Sequence, residues 1–105
     1  MRVPNHKLEN YFARYEDIEN YNGTIRGFNG LNGDYTVRHW STDIAVIAPD
    51  YFAAYPHYIS QTTASLLGRV MRSQPRGNVI AWIDRELALG TIDVKRARQL
   101  SNQLR

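Results

Sequence analysis

The side chains that could do chemistry in this chain are few and widely spaced. His6, His39 and His57 supply its imidazoles, and it has no cysteine. No HxH, HExxH or HxxxH spacing occurs, so a metal site would have to be assembled from distant parts of the fold, and none is expected. His39 stands close to Ser41 and Asp43, the residue types of a hydrolase triad. Three residues so close along the chain rarely reach triad geometry, however, and no triad is expected from them. Asp84 and Glu86 lie two apart and face different sides of a helix. Glu16, Asp17 and Glu19 read as a solvated helix face, with phosphate mimicry toward a basic partner as the sharper reading. Neither acidic group resembles paired carboxylates closing on one bond. Gly23, Gly27, Gly30 and Gly33 come close together, but they form neither GxxxxGK[ST] nor a GxGxxG that opens a helix. With Asn29 and Asn32 beside them they predict tight turns. These residues predict a protein without catalytic chemistry or a cofactor.

Binding chemistry is better represented. Tyr51, Phe52, Tyr55 and Tyr58 form an aromatic cluster interrupted by Ala53, Ala54 and Pro56. Tyrosine-rich segments make good contact surfaces because each ring offers a large area at low rotamer cost. These residues are the candidate partner-binding site, and the plain alternative is a lid closing one end of the core. A second candidate is basic. Arg69, Arg72 and Arg76 follow at three- and four-residue steps, and Lys95, Arg96, Arg98 and Arg105 stand off the apolar stripe of the last helix. On one shared face they would attract phosphates, which makes nucleic-acid binding the alternative function. A helix-turn-helix over residues 78–105 has little to read base edges with, because the N-terminal end of its last helix is poor in Asn and Gln.

The elements that must position these groups follow from composition and periodicity. The chain has 105 residues, 43% apolar and 22% charged, with a formal net charge of +3. That is enough for one core and too little for two domains, so residues 1–105 are expected to form a single domain. No apolar run approaches the ~20 residues that span a bilayer, and the first residues lead into no apolar signal region, so a cytoplasmic protein is expected. Eleven of the twelve aromatic residues lie between Tyr11 and Tyr58. Residues 1–60 carry a charge balance of −2 and residues 61–105 one of +5. Aromatic residues favour strands, whereas Leu, Arg, Gln and Ala favour helices, so a sheet-forming part (1–60) precedes a helical part (61–105).

Within the first part, Leu8, Tyr11, Phe12, Tyr15 and Ile18 recur at helical spacing and predict a helix over residues 8–21, capped by Asn5 and stopped by Asn22 and Gly23. Thr24, Ile25 and Arg26 predict a short strand. Residues 35–40 and 44–47 predict a hairpin, the second strand apolar on both faces. Residues 51–55 fit either a loop or a helical turn, and residues 56–59 predict a last strand with Pro56 at its entry. Three helices follow. Their apolar stripes are Leu66, Leu67, Val70 and Met71; then Val79, Ile80, Ile83 and Leu87; then Val94, Ala97, Leu100 and Leu104. Thr62 or Thr63, Asn78, and Thr91 or Asp93 serve as N-caps, and Gly90 as a C-terminal stop. The expected fold is α+β: a small antiparallel sheet of three or four strands, an N-terminal helix and three C-terminal helices covering one face.

Tyr35, Val37, Trp40, Thr42, Ile44 and Ala45, followed by Tyr58, Ser60, Thr62 and Thr63, resemble a family of small uncharacterised bacteriophage and prophage proteins. The family pattern is approximately Tyr-x-Val-x-x-Tyr-x-Thr-x-Ile-Ala, then Tyr-Ser-x-Thr-Thr. Trp40 replaces a tyrosine, Ile59 is inserted before Ser60, and the His that often follows the Thr pair is missing. The resemblance spans roughly residues 21–66 and implies a phage or prophage source, with no site residue to carry over. With no catalytic constellation in view, the expected function is a non-enzymatic inhibitor. It would occupy a host or defence protein in the host cytoplasm, as small host-takeover or anti-CRISPR proteins do.

Overall fold

The computed structural model describes residues 1–56 and 61–104. Among these residues six strands form one sheet in sequential order: β1 (Arg2–Val3), β2 (Ile18–Asn20), β3 (Ile25–Asn29), β4 (Tyr35–His39), β5 (Thr42–Ala48) and β6 (Tyr51–Ala54). Strands β2 to β6 run as an antiparallel meander, whereas β1 lies parallel to β2. A parallel pair needs a crossover. A 3-10 turn (Asn5–Lys7) and α1 (Leu8–Ala13) supply it. Three helices complete the chain: α2 (Gln61–Arg72), α3 (Arg76–Leu89) and α4 (Val94–Asn102).

The sheet is wider than the three or four strands expected, and two of the added strands come from segments that read differently in sequence. Helical spacing over residues 8–21 ends early because Tyr15 adopts a positive φ of 55° and stops α1. Asn29 Nδ2 donates to the Tyr15 carbonyl at 2.8 Å, and the Tyr15 hydroxyl donates to Gln74 Oε1 at 3.0 Å, so the break is held from both ends. Ile18–Asn20 then pairs with β1 and β3, and Asn20, itself buried, bonds Asn5, Thr24 and the Ile25 N–H. Leu8, Phe12 and Ile18 are all buried, so the periodicity marked the core face correctly, but the helix itself only over Leu8–Ala13. Residues 51–54 pair with β5 as an edge strand instead of forming a loop or helical turn. The strand expected over residues 56–59 runs into residues outside those described.

One buried cluster spans both halves of the chain. Ile25, Tyr35, Val37, Ala45, Ile47 and Phe52 face inward from the sheet, against Phe12 of α1, Leu66, Leu67, Val70 and Met71 of α2, Val79, Trp82 and Ile83 of α3, and Leu100 of α4. The stripe of α2 is the one expected. On α3 it is rotated: Trp82 is buried, while Ile80 and Leu87 are exposed. Val94 is likewise exposed at the start of α4. Two caps match expectation. Gly90 takes the left-handed conformation at φ 77° after α3, and the Asp93 carboxylate accepts from the Arg96 N–H at 2.8 Å. Asn78 does not cap α3, which begins after Pro75; its amide donates to the Pro49 carbonyl at 3.2 Å. Thr63 lies inside α2 and hydrogen-bonds the His39 ring.

Tyr35 lies across the middle of the core. Its hydroxyl donates to the Glu16 carbonyl at 2.7 Å, and its ring makes edge contacts with Phe12 and Tyr15. Burial, reinforced by the Asp17 and Glu16 charges, pushes its phenol well above the ordinary tyrosine range. A group whose pKa rises on folding lends stability that is complete below its unfolded value and lost as pH climbs above it. Wild type should therefore lose stability above about pH 10, at up to about 1.4 kcal/mol per pH unit from this group alone. Urea titrations at pH 8 to 11 check this, since Tyr35→Phe should flatten that slope. Parallel slopes in the two proteins would contradict it.

The exposed edge of β6 is guarded by helix side chains. Arg85 of α3 donates to the Phe52 carbonyl at 2.7 Å, and Arg96 of α4 donates to the Pro56 carbonyl at 2.9 Å. Unpaired strand edges template association with other chains, and positive charge laid along them prevents it. Arg85→Ala should cost about 1 kcal/mol and produce concentration-dependent light scattering that wild type lacks. Equal scattering from both proteins would show that the edge is protected by other means.

Candidate functional site

Strand alternation divides the predicted aromatic cluster. Phe52 points inward at 0% exposure, its ring edge-on to Trp82 at 5.3 Å, and presents no surface. Tyr51 points to the opposite face at 46% exposure, with the Arg85 guanidinium 5.0 Å from its ring centroid. Tyr55 follows the strand at 48% exposure, and its N–H donates to the Ile44 carbonyl at 2.9 Å. Tyr51 and Tyr55 thus sit at opposite ends of β6, and Tyr58 lies outside the described residues.

The basic residues are brought together partly, and mostly for packing. Arg69 donates to the Asn5 carbonyl at 2.8 Å. Arg72 pairs with Glu9 at 3.1 Å and reaches the Gln103 carbonyl, while Arg76 reaches that of Leu104 at 3.2 Å. These three arginines fasten α2 and the start of α3 to the N-terminal segment and to the end of α4. Arg96 is turned toward Pro56, leaving Lys95 and Arg98 exposed on α4. The helices therefore present a smaller open cationic face than the sequence spacing implied.

Nothing described here gathers catalytic groups. The His39 ring is buried with Nδ1 3.0 Å from Thr63 Oγ1, and Asp43 accepts from Arg38 at 2.6 Å instead, so His39, Ser41 and Asp43 form no relay. That bond to Asp43 holds the Arg38 guanidinium pKa above its ordinary value. Asp17 accepts from the Asn29 N–H at 2.8 Å, which with the Asn29 side chain lowers its carboxyl below the usual range. Glu16 pairs with Arg14 and Glu19 with Arg2, so the acids expected to lie free on a helix face are engaged in pairs. Among the described residues no three His, Asp or Glu side chains lie close enough to share a metal. A groove of about 280 Å³ between α2 and the sheet is rimmed by Asn5, Gln61, Thr62, Ser65 and Arg69, and its described residues include no acid–base pair. No described helix is long and apolar enough to cross a membrane.

Two features went unmarked in the sequence. Trp40, expected to end a strand, sits instead with Ser41 in the tight turn between His39 and Thr42. It is 71% exposed at a positive φ of 56°, and its N–H donates to the Thr24 carbonyl at 2.7 Å. That bond sets the Trp40 turn beside the turn carrying Tyr21, which is 64% exposed. Tyr55, opposite Ile44, belongs to the same end of the sheet. The second feature is the uncovered face of the sheet, where Arg2, Glu19, Arg26, Arg38 and Asp43 oppose one another in register across five strands. Only pairing register reveals either grouping. No protein-family model, curated protein or solved structure matches this chain.

Proposed function

We propose that this chain is a non-enzymatic protein-binding domain of the phage and prophage type. It occupies a host or defence protein in the host cytoplasm through the end of the sheet that carries Tyr21, Trp40 and Tyr55. One observation carries the reading. A tryptophan, largely open to solvent, is held at φ 56° in a turn where glycine or asparagine would sit at less cost. Tyr15 adopts the same conformation but is tied into the fold at its hydroxyl and carbonyl, whereas the Trp40 ring stands in solvent, which points to a use outside the fold's own stability. Tryptophan and tyrosine are also the residues that most often dominate binding energy at protein interfaces. This reading retains Tyr55 from the aromatic cluster, while Tyr51 stands at the far end of β6.

The alternative, phosphate binding by Arg69, Arg72, Arg76, Lys95, Arg96 and Arg98, has weaker support because four of the six already bond carbonyl or carboxylate oxygens within the fold. The test is capture from nuclease-treated lysates of candidate bacterial hosts, comparing wild type with Trp40→Gly and Arg98→Ala. One stoichiometric protein should be retained by wild type and Arg98→Ala and lost with Trp40→Gly. Retention by all three variants would overturn the reading.

A further inference from the structure

We propose that the uncovered face of the sheet binds single-stranded nucleic acid, using Phe28 with the guanidinium groups of Arg26 and Arg38 as a base-stacking platform. This site is separate from the aromatic end and does not rest on it. All four helices contribute to the core on the opposite face, so outward residues of β3, β4, β5 and β6 meet solvent: Arg26 is exposed, and Phe28, Thr36, Val46 and Ala53 are half-exposed.

The charges on this face are arranged at a cost. In the register row Arg2, Glu19, Arg26, Arg38 and Asp43, the outer pairs neutralise one another at 3.2 Å and 2.6 Å. Arg26 and Arg38 stand directly opposite each other in the middle, an unfavourable juxtaposition that Asp43 beside Arg38 and Glu19 opposite Arg26 relieve only in part. Arg26 has no carboxylate within ion-pair distance among the described residues. An anion beside Arg26 would offset the repulsion that the Arg38–Asp43 pair leaves. Both guanidinium groups also lie on one ring, 5.8 Å and 4.8 Å from the Phe28 centroid. The next positions in register beside Phe28 are Thr36, Val46 and Ala53, all short side chains that leave a flat floor.

A cationic strip around one aromatic ring, beside a row of short side chains, suits a strand with phosphates on one side and bases on the other. An acidic peptide would satisfy the arginines and leave the floor unused. Extended peptides also dock at sheet edges, and here one edge strand is two residues long and the other is guarded by Arg85 and Arg96.

Fluorescence anisotropy tests this with the full chain and labelled oligonucleotides of about 12 nucleotides, as single-stranded DNA, single-stranded RNA and duplex, with poly-glutamate as a plain polyanion. Either single strand should bind more tightly than duplex or poly-glutamate, with affinity falling as salt rises at a log–log slope of about −0.7 per phosphate contact. Phe28→Leu should weaken binding about tenfold at an unchanged slope, through lost stacking. Arg26→Gln, at an exposed site, should make the slope shallower by about 0.7. Trp40→Gly should bind the strand like wild type. No binding at low salt, equal binding of duplex or poly-glutamate, or wild-type behaviour in both Phe28→Leu and Arg26→Gln would overturn the proposal.

Discussion

Alanine at Gly27 is expected to destabilise the fold by about 3 kcal/mol, lowering the melting temperature by roughly 12–15 °C. The added Cβ would overlap the Tyr35 hydroxyl and come within 2.7 Å of the ring carbon that bears it. Gly27 cannot retreat, because it is paired with Ile18 on one side and Val37 on the other. The ring must move instead. That breaks its hydrogen bond to the Glu16 carbonyl and disturbs its edge contacts with Phe12 and Tyr15. Overpacking of this kind costs about 1–3 kcal/mol, and the lost buried hydrogen bond adds about 1 more. Thermal melts of wild type, Gly27→Ala, Tyr35→Leu and the double variant give the coupling directly. The double variant should be less destabilised than the sum of the singles, because a shorter side chain at position 35 leaves room for the methyl. Simple additivity, or a Gly27→Ala melting point within roughly 3 °C of wild type, would show that the ring finds another place at little cost.

Trp40→Gly should move stability and binding in opposite directions. Glycine adopts φ 56° without steric penalty, so the variant is expected to gain about 1 kcal/mol in urea unfolding. The indole is open to solvent and contributes little packing that would offset the gain. Partner affinity should fall at least about 30-fold, the loss typical when a tryptophan at the centre of an interface is truncated. Trp40→Ala separates the two effects: it loses the indole but keeps the strained backbone, so it should bind as poorly as the glycine variant and gain no stability. A residue serving only to close the hairpin would behave otherwise, with both substitutions destabilising and neither affecting capture.

The distance between the sequence reading and the structure is clearest at two segments. Leu8, Phe12 and Ile18 recur at helical intervals, yet the helix stops at Ala13 and Ile18 enters a strand. A three-residue strand between two neighbours satisfies its backbone through partners distant in sequence, and local spacing records nothing of them. At residues 51–55 the cluster of rings was visible, but its division was not. Once the segment is a strand, period-two alternation sends Phe52 to the core and Tyr51 outward. The arginines show the same limit. Their helical line was legible, whereas the carbonyls of Asn5, Gln103 and Leu104 that occupy them come from elsewhere in the chain.

What residue order determines here is local: the β4–β5 hairpin, the apolar stripe of α2, the Asp93 cap and the glycine stop after α3. Each depends on side chains within a few positions of one another, where conformational preference and periodicity act. Tertiary structure decided which residues meet. It joined Arg26 to Arg38 and Phe28, laid Tyr35 over Gly27, and brought the Trp40 turn against Thr24. Those contacts depend on strand register, and register is set by how the whole sheet buries its inner face beneath the helices.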